Sequence, residues 1–400
     1  MIRRSRRAGW TITALLVALV PASGRAQEAA PLEPTGTDQF GFAEKIGRAF
    51  KEPLHPVVQT VAAGGGLGAG IGYDYPEDSP WTLSAKAVVT LRRYWLAALD
   101  LSHTGEHTET AAYARVRDMS RLNFFGPGPD SSEFDQTTFT LRDPVAGLLG
   151  AFRLGALSFG GRVEMLWPAV DAGRHPLHPS IEERFGETDA PGLTAQPRFG
   201  RYQTFINITA PAAAGWGINQ GGSYRLTYDV YDDREFERFG FRRIELEAKH
   251  KFAIVRPYHS LTLRGWISSA EPRPGQQVPF FLQHTLGGMS NIRSVDESPL
   301  GGDGSSGTLR AFPNHRFRDN HLLLLQSEYR WGVWGPIDAT VFFDAGKAVD
   351  RRADINLSSL RSNYGFSINL VKAAATMARM DVGFGGEGPR VYFSFGGLLP

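Results

Sequence analysis

Apolar and polar residues alternate with the period of a strand through much of the last third of the chain. Ile337, Ala339, Val341, Phe343 and Ala345 share one face, while Asp338, Thr340, Phe342, Asp344 and Gly346 share the other. Leu323, Leu325, Ser327, Tyr329 and Trp331 stand opposite Leu322, Leu324, Gln326, Glu328 and Arg330 in the same way. Ala378, Met380, Val382 and Phe384 oppose Arg379, Asp381 and Gly383, and Val391, Phe393 and Phe395 end the series. A strand that is apolar on one side and polar on the other suits a wall between lipid and a wet lumen. The pattern therefore predicts an all-β chain, a transmembrane antiparallel β-barrel.

Upstream, candidate strands fall at 81–92, 94–103, 110–119, 134–154, 156–167, 201–210, 223–230, 243–252 and 258–268. Several carry a charged inner face: Arg225 and Asp229, then Glu245, Glu247, Lys249 and Lys251, then Arg264. The segment 62–72, with six glycines, reads as a first strand that pairs weakly, because glycine leaves little side chain to pack. Weak pairing of first and last strands is compatible with a barrel that opens sideways. The apolar run 280–288 reads as a strand ahead of a Gly/Ser/Asp-rich loop that has no periodicity up to residue 306. With the first strand and six from Phe280 onward, the count is sixteen, an even number as barrels require. This partition leaves 168–200 at the end where turns are short, so either 134–154 is two strands or an earlier assignment is wrong.

Composition places the chain in a compartment. Residues 1–26 carry Arg3, Arg4, Arg6 and Arg7, an apolar run from residue 12 to 20, and Gly24-Arg25-Ala26 as a small-x-small cleavage site, the three parts of a secretory signal. The paired arginines resemble a twin-arginine signal, but a barrel crosses the inner membrane unfolded, which favours the general secretory route. Cleavage removes five arginines and no acid, taking the formal charge from +2 to −3. No surface for nucleic acid is indicated. With no cysteine, disulfides and cysteine-ligated metal are excluded. The expected organisation is a signal peptide at 1–26, a short periplasmic lead at 27–56 with a helical pattern in Phe42, Ile46 and Phe50, and the barrel at 57–400. Forty-six glycines and 12% aromatic residues fit tight turns and aromatic girdles.

Chemistry is sparse. The glycines of 62–72 lack the following Lys, Ser/Thr and helix of a phosphate-binding loop. No Gly-x-Ser-x-Gly occurs. His103 and His107 flank Glu106, and His175 and His178 lie between prolines, but neither pair has helical metal-ligand spacing. Glu245, Lys249, Arg379 and Asp381 read as cross-strand ion pairs that stiffen the lumen. The expectation is a non-enzyme with neither cofactor nor metal.

Leu309-Arg310-Ala311-Phe312, Phe342-Phe343-Asp344-Ala345-Gly346 and the acid Glu328 on the strand between them resemble motifs of the BamA/TamA family of the bacterial surface-antigen superfamily, outer-membrane translocation and assembly proteins. Leu309-Arg310-Ala311-Phe312 is similar to its Val-Arg-Gly-Phe/Tyr loop signature, and Phe342-Phe343-Asp344-Ala345-Gly346 to its Phe-x-Asp-x-Gly strand. Glu328 lies where the family has an acid on the intervening strand. The resemblance is close over 280–396 and only architectural before it, and the 27–56 lead is too short for one of the family's periplasmic POTRA modules. It implies a long extracellular loop folded into the lumen, with Arg310 and Phe312 locked against Glu328, Phe342, Asp344 and Gly346. The Arg310 fork matches paired carboxylates, and both Glu328 and Asp344 fall on the polar face. Ala311 replaces the family's glycine and restricts the backbone there. Two functions follow. One is insertion or translocation at a Gram-negative outer membrane, with bilayer lipid and unfolded outer-membrane or secreted polypeptides as partners. The other is a passive structural or pore-forming barrel.

Overall fold

The computed structural model describes residues 53–75, 79–210, 219–254, 259–288, 307–372 and 375–395. The expected signal peptide at 1–26 and the helical pattern expected in the lead lie outside the described residues. The chain begins with β1 (Leu54–Gln59), β2 (Gly68–Tyr75), β3 (Trp81–Thr90), β4 (Trp95–Thr104) and β5 (Thr108–Phe124). β6 (Thr137–Arg142), β7 (Val145–Leu154), β8 (Leu157–Leu166), β9 (Ala169–Ala172) and β10 (Phe199–Ala210) follow. Then come β11 (Asn219–Asp233), β12 (Phe241–Ala253) and β13 (His259–Pro272). β14 (His284–Leu286) and β15 (Phe317–Asp319) pair with each other in a sheet of their own. The last strands are β16 (His321–Trp334), β17 (Ile337–Val349), β18 (Arg361–Lys372), β19 (Ala375–Gly385) and β20 (Gly388–Phe395).

Among the described residues sixteen strands form the wall of a transmembrane barrel, each antiparallel to the next. They run from β1 through β5, then β7, β8, β10 to β13 and β16 to β20. β6 and β9 continue the far half of β5 as a lip above the wall. The alternation read from the sequence is the wall's two faces. Val341 and Phe343 are 45% and 49% exposed on the outer surface, whereas Phe342 and Asp344 are buried inside at 4% and 0%. Outward apolar residues such as Leu99, Leu148, Ile206, Leu246, Ile267 and Phe366 continue this belt around the wall.

The first strand among the described residues is not the glycine-rich segment. It is β1, six residues with Pro56 in the middle, and it begins at Leu54, three residues before the expected boundary. Residues 62–67 instead turn the chain inward over Tyr94, with Gly64 and Gly66 at φ 82° and 76°, and Gly68 opens β2, the second strand. Proline has no N–H for a ladder and so suits an edge strand. Among the described residues no ladder joins β1 to β20.

The run 280–288 is not a wall strand either. It holds a 3₁₀ turn, Phe280–Leu282, and β14, all folded inside the barrel mouth. One missed strand and one surplus strand leave the number sixteen intact but shift every intervening connection to the opposite end. Residues 167–198 therefore lie at the same end as 273–320, which resolves the misplaced loop. The segment 134–154 is two strands, β6 and β7, parted at Asp143-Pro144.

Long connections gather at one end of the barrel: 125–136, 167–198, the described parts 273–288 and 307–320 of the β13–β16 loop, and 350–360. The described connections at the other end are turns of two or three residues: 105–107, 155–156 and 335–336. At the loop end an apolar cluster fills the mouth. Phe280 stands edge-on to Phe124 and Phe139, at ring separations of 5.4 and 4.9 Å, and Phe185 packs on Phe124 at 4.9 Å. Arg318, fully buried, donates to the carbonyl of Phe280 at 2.5 Å and lies 5.8 Å from both the Phe139 and Phe280 rings.

Candidate functional site

The loop between β13 and β16 enters the lumen through β14 and leaves through β15. Its neck needs two glycines: Gly287 and Gly288 have φ of 114° and 93°. A Cβ at these positions would lie 2.3 Å from the Pro313 carbonyl oxygen and 1.8 Å from Asn314 Oδ1. Backbone bonds hold the neck to the returning chain: Gly288 N–H to the Leu309 carbonyl and Thr308 N–H to the Gly288 carbonyl, both at 3.1 Å. The Thr308 hydroxyl accepts from Gly287 N–H at 2.6 Å. Leu309, Arg310, Ala311 and Phe312 are thereby carried into the barrel, none more than 3% exposed.

Arg310 meets both carboxylates. Its Nε and Nη2 donate to Asp344 at 2.8 and 2.6 Å, its backbone N–H donates to the same carboxylate at 3.2 Å, and Nη1 donates to Glu328. The guanidinium also lies 3.6 Å from the centre of the Phe342 ring, a cation–π contact. Burial alone would lower the Arg310 pKa, but the bonds to Asp344 and the charge of Glu328 outweigh it and hold the side chain protonated.

Other donors complete the carboxylates. Asp344, with no exposed surface, also accepts from Gln326 at 2.9 Å and Asn363 at 2.8 Å. Glu328 accepts from Arg379 at 3.0 Å, and Arg379 reaches Asp381 at 2.8 Å. Gln326 and Asn363 lie outside the three motifs. Their signal was register alone, since each falls on the inward face of its strand opposite Asp344.

The remaining motif residues supply space and packing. A Cβ at Gly346 would lie 2.7 Å from the Leu323 carbonyl and 3.0 Å from Leu286 of the plug. One at Gly365 would overlap the Phe342 ring, at 2.4 Å. Phe312 packs edge-on to Phe317 at 5.2 Å, and its carbonyl accepts from the Tyr392 hydroxyl at 3.0 Å. Ala311 fits without strain. It is fully buried, its φ is not positive, and its methyl group lies over Gly383 and Gly385, 3.2 and 3.0 Å from where their Cβ atoms would be. Gly383 and Gly385 leave room for the Ala311 methyl group, so the restriction expected at Ala311 does not keep the loop out.

Of the expected cross-strand ion pairs, Arg379 and Asp381 belong to this network. Glu245 instead holds the plug, accepting from His284 at 2.6 Å and from the Trp266 indole at 3.2 Å. Further anchors cross the mouth. Arg316 of the loop reaches Glu387 at 2.7 Å and Ser131 Oγ at 2.7 Å. Toward the turn end lies a half-open cavity of about 620 Å³ lined by Arg153, Ser158, Asn207, Arg225 and Glu247 among others.

A wall of sixteen antiparallel strands with a loop locked inside defines a plugged outer-membrane-type barrel. Solved structures of that class superpose on it. BamA from Haemophilus ducreyi, lacking POTRA domains 1–3, matches at 10% identity over 88% of this chain and 76% of that one, with a TM-score of 0.50. CdiB from Escherichia coli matches at 12% identity over 88% of this chain and 68% of that one, with a TM-score of 0.51. CdiB from Acinetobacter baumannii gives 10% identity and a TM-score of 0.49, and the chain spans 57% of its length. No family model and no curated protein matches the sequence. At these identities the likeness is one of fold: the chain has the barrel architecture of BamA and CdiB.

Proposed function

We propose that this protein inserts or translocates polypeptide at a bacterial outer membrane, with the loop end outside the cell. The observation that carries this reading is the plug: such a lock is not needed merely to span a bilayer, yet the loop is threaded through the mouth and held by Arg310, Asp344 and Glu328. A locked loop stiffens β16 to β19, and the adjoining seam between β20 and β1, which no ladder joins among the described residues, is left as the pliable part of the wall. The short β1, interrupted by Pro56, supports a seam that yields to an incoming strand. The acidic and basic lumen carries no catalytic role in this reading, and no cofactor is required.

A passive pore is the competing class. It predicts a steady conductance through an unobstructed lumen, whereas the aromatic cluster and the plug fill the loop end here. The test is reconstitution into liposomes beside an unfolded barrel client. Insertion of the client faster than into protein-free liposomes, without a standing conductance, supports the proposal. A large constant conductance with no acceleration refutes it.

A further inference from the structure

The loop-end rim between β3 and β9 collects positive charge that the lock does not use. Arg92 and Arg93 form the tip of the β3–β4 hairpin and are both exposed. Arg93 sits in the left-handed region at φ 65°, and the tip is fixed by Thr90, whose N–H donates to the Tyr94 carbonyl at 2.8 Å and whose hydroxyl accepts from Tyr94 N–H at 3.0 Å. On the next strand, whose Asp118 faces Trp95, stands the half-buried Arg121. Arg174 is brought alongside by its N–H, which donates to the Ser120 carbonyl at 3.0 Å. His175 and His178 follow, their rings 4.6 Å apart.

Among the described residues none of these four arginines has a carboxylate within ion-pair distance. Asp118 and Asp171, on the same strands, are engaged by Arg142 at 3.5 and 3.9 Å. The Nε of Arg121 is buried without a partner. The cations act on one another: burial depresses the His175 pKa, and the charges of His178, Arg121 and Arg92 lower it further.

A second observation places this patch at a bilayer surface. Each cationic segment carries a leucine in the open, Leu91 at 85% exposure beside Arg92 and Leu177 at 83% between His175 and His178. Just toward the belt lie Trp95 and Trp167, 36% and 39% exposed, at the level of an aromatic girdle. Apolar tips among arginines, above a ring of tryptophans, fit the boundary between acyl chains and anionic headgroups.

We infer that this rim binds the phosphate groups of lipid headgroups in the leaflet on the loop side. Guanidinium forks match phosphate oxygens, and the flanking leucines enter the adjacent acyl region. The inference rests on the barrel and its orientation, not on any insertion activity.

The test measures binding of diphosphorylated lipid A to the full-length barrel in zwitterionic micelles, with dephosphorylated lipid A and excess inorganic phosphate as comparisons. The phosphorylated lipid should bind at least tenfold more tightly than the dephosphorylated one, and inorganic phosphate should not displace it. One arginine near an anionic surface contributes about fivefold, so Arg92→Gln with Arg93→Gln should weaken binding roughly twenty-five-fold. The corresponding lysine pair should retain most of it. Arg174→Gln alone, expected to cost about fivefold, provides the same test should the hairpin variant fail to fold. Equal binding of both lipids, displacement by inorganic phosphate, or glutamine variants that bind as wild type would each overturn the inference.

Discussion

Replacing Arg310 by alanine should release the loop from the lumen. Five hydrogen bonds end on the Asp344 carboxylate, from Arg310 Nε, Nη2 and backbone N–H, from Gln326 and from Asn363. The substitution removes the two from the guanidinium and leaves three neutral donors around a carboxylate with no exposed surface. Breaking a buried pair from one side costs roughly 3–5 kcal/mol. The surviving donors place the expected cost near the lower figure, about 3 kcal/mol, or about a hundredfold in the docking equilibrium. An exposed pair would contribute only about 0–1 kcal/mol. Asp344→Asn should do comparable damage, since Arg310 then keeps only Glu328 as a charged partner. If the pair acts as one unit, the double substitution costs little more than either single one. The assay is limited proteolysis of the loop in the folded barrel, which tracks the open population when reclosing is fast. Heat-modifiable mobility reports the wall separately. An Arg310→Ala protein whose loop is cleaved at the wild-type rate would refute the lock.

Other outcomes follow from the same geometry. Burial raises the Asp319 carboxyl in the plug stem to about 7, from 3.8 when unfolded, and the charge of Asp350 adds to the rise. The folded state therefore favours the protonated acid, and this stabilisation is complete below about pH 4 and lost as pH rises to about 7. Amide exchange in β14 and β15, corrected for intrinsic rates, should be faster at pH 8 than at pH 5, and Asp319→Asn should remove the difference. Ala311→Gly should leave the loop docked, whereas Gly385→Ala, which brings a methyl group to 3.0 Å from Ala311, should loosen it in the proteolysis assay. Single cysteines at 341 and 343 should react with a lipid-phase reagent and those at 342 and 344 should not; uniform labelling would contradict the assigned faces.

The strands from β16 onward were legible because lipid and lumen impose opposite chemistry on alternate residues. Val341 and Asp344 could not exchange faces without burying a charge in hydrocarbon. The lock was legible through its motifs, yet Gln326 and Asn363 were not, since a polar side chain on an inner face has no distinctive spacing. Periodicity failed where the environment was apolar on both sides. Phe280, Phe281 and Leu282 look like part of a lipid-facing strand but pack into the aromatic cluster at the mouth, at no more than 3% exposure. It failed again at Leu54–Gln59, where six residues with a proline are too few to show alternation. The fit of Ala311 was not legible either, because it depends on Gly383 and Gly385 facing it.

The central claim is that a locked plug serves a barrel that inserts polypeptide. Its most direct test is the rate at which a urea-denatured outer-membrane barrel folds into liposomes that contain wild-type protein, the Arg310→Ala variant or no protein. The expected result is clear acceleration by wild type and its loss in the variant, with both proteins equally well folded in the bilayer. A wild-type rate equal to that of protein-free liposomes would contradict the account.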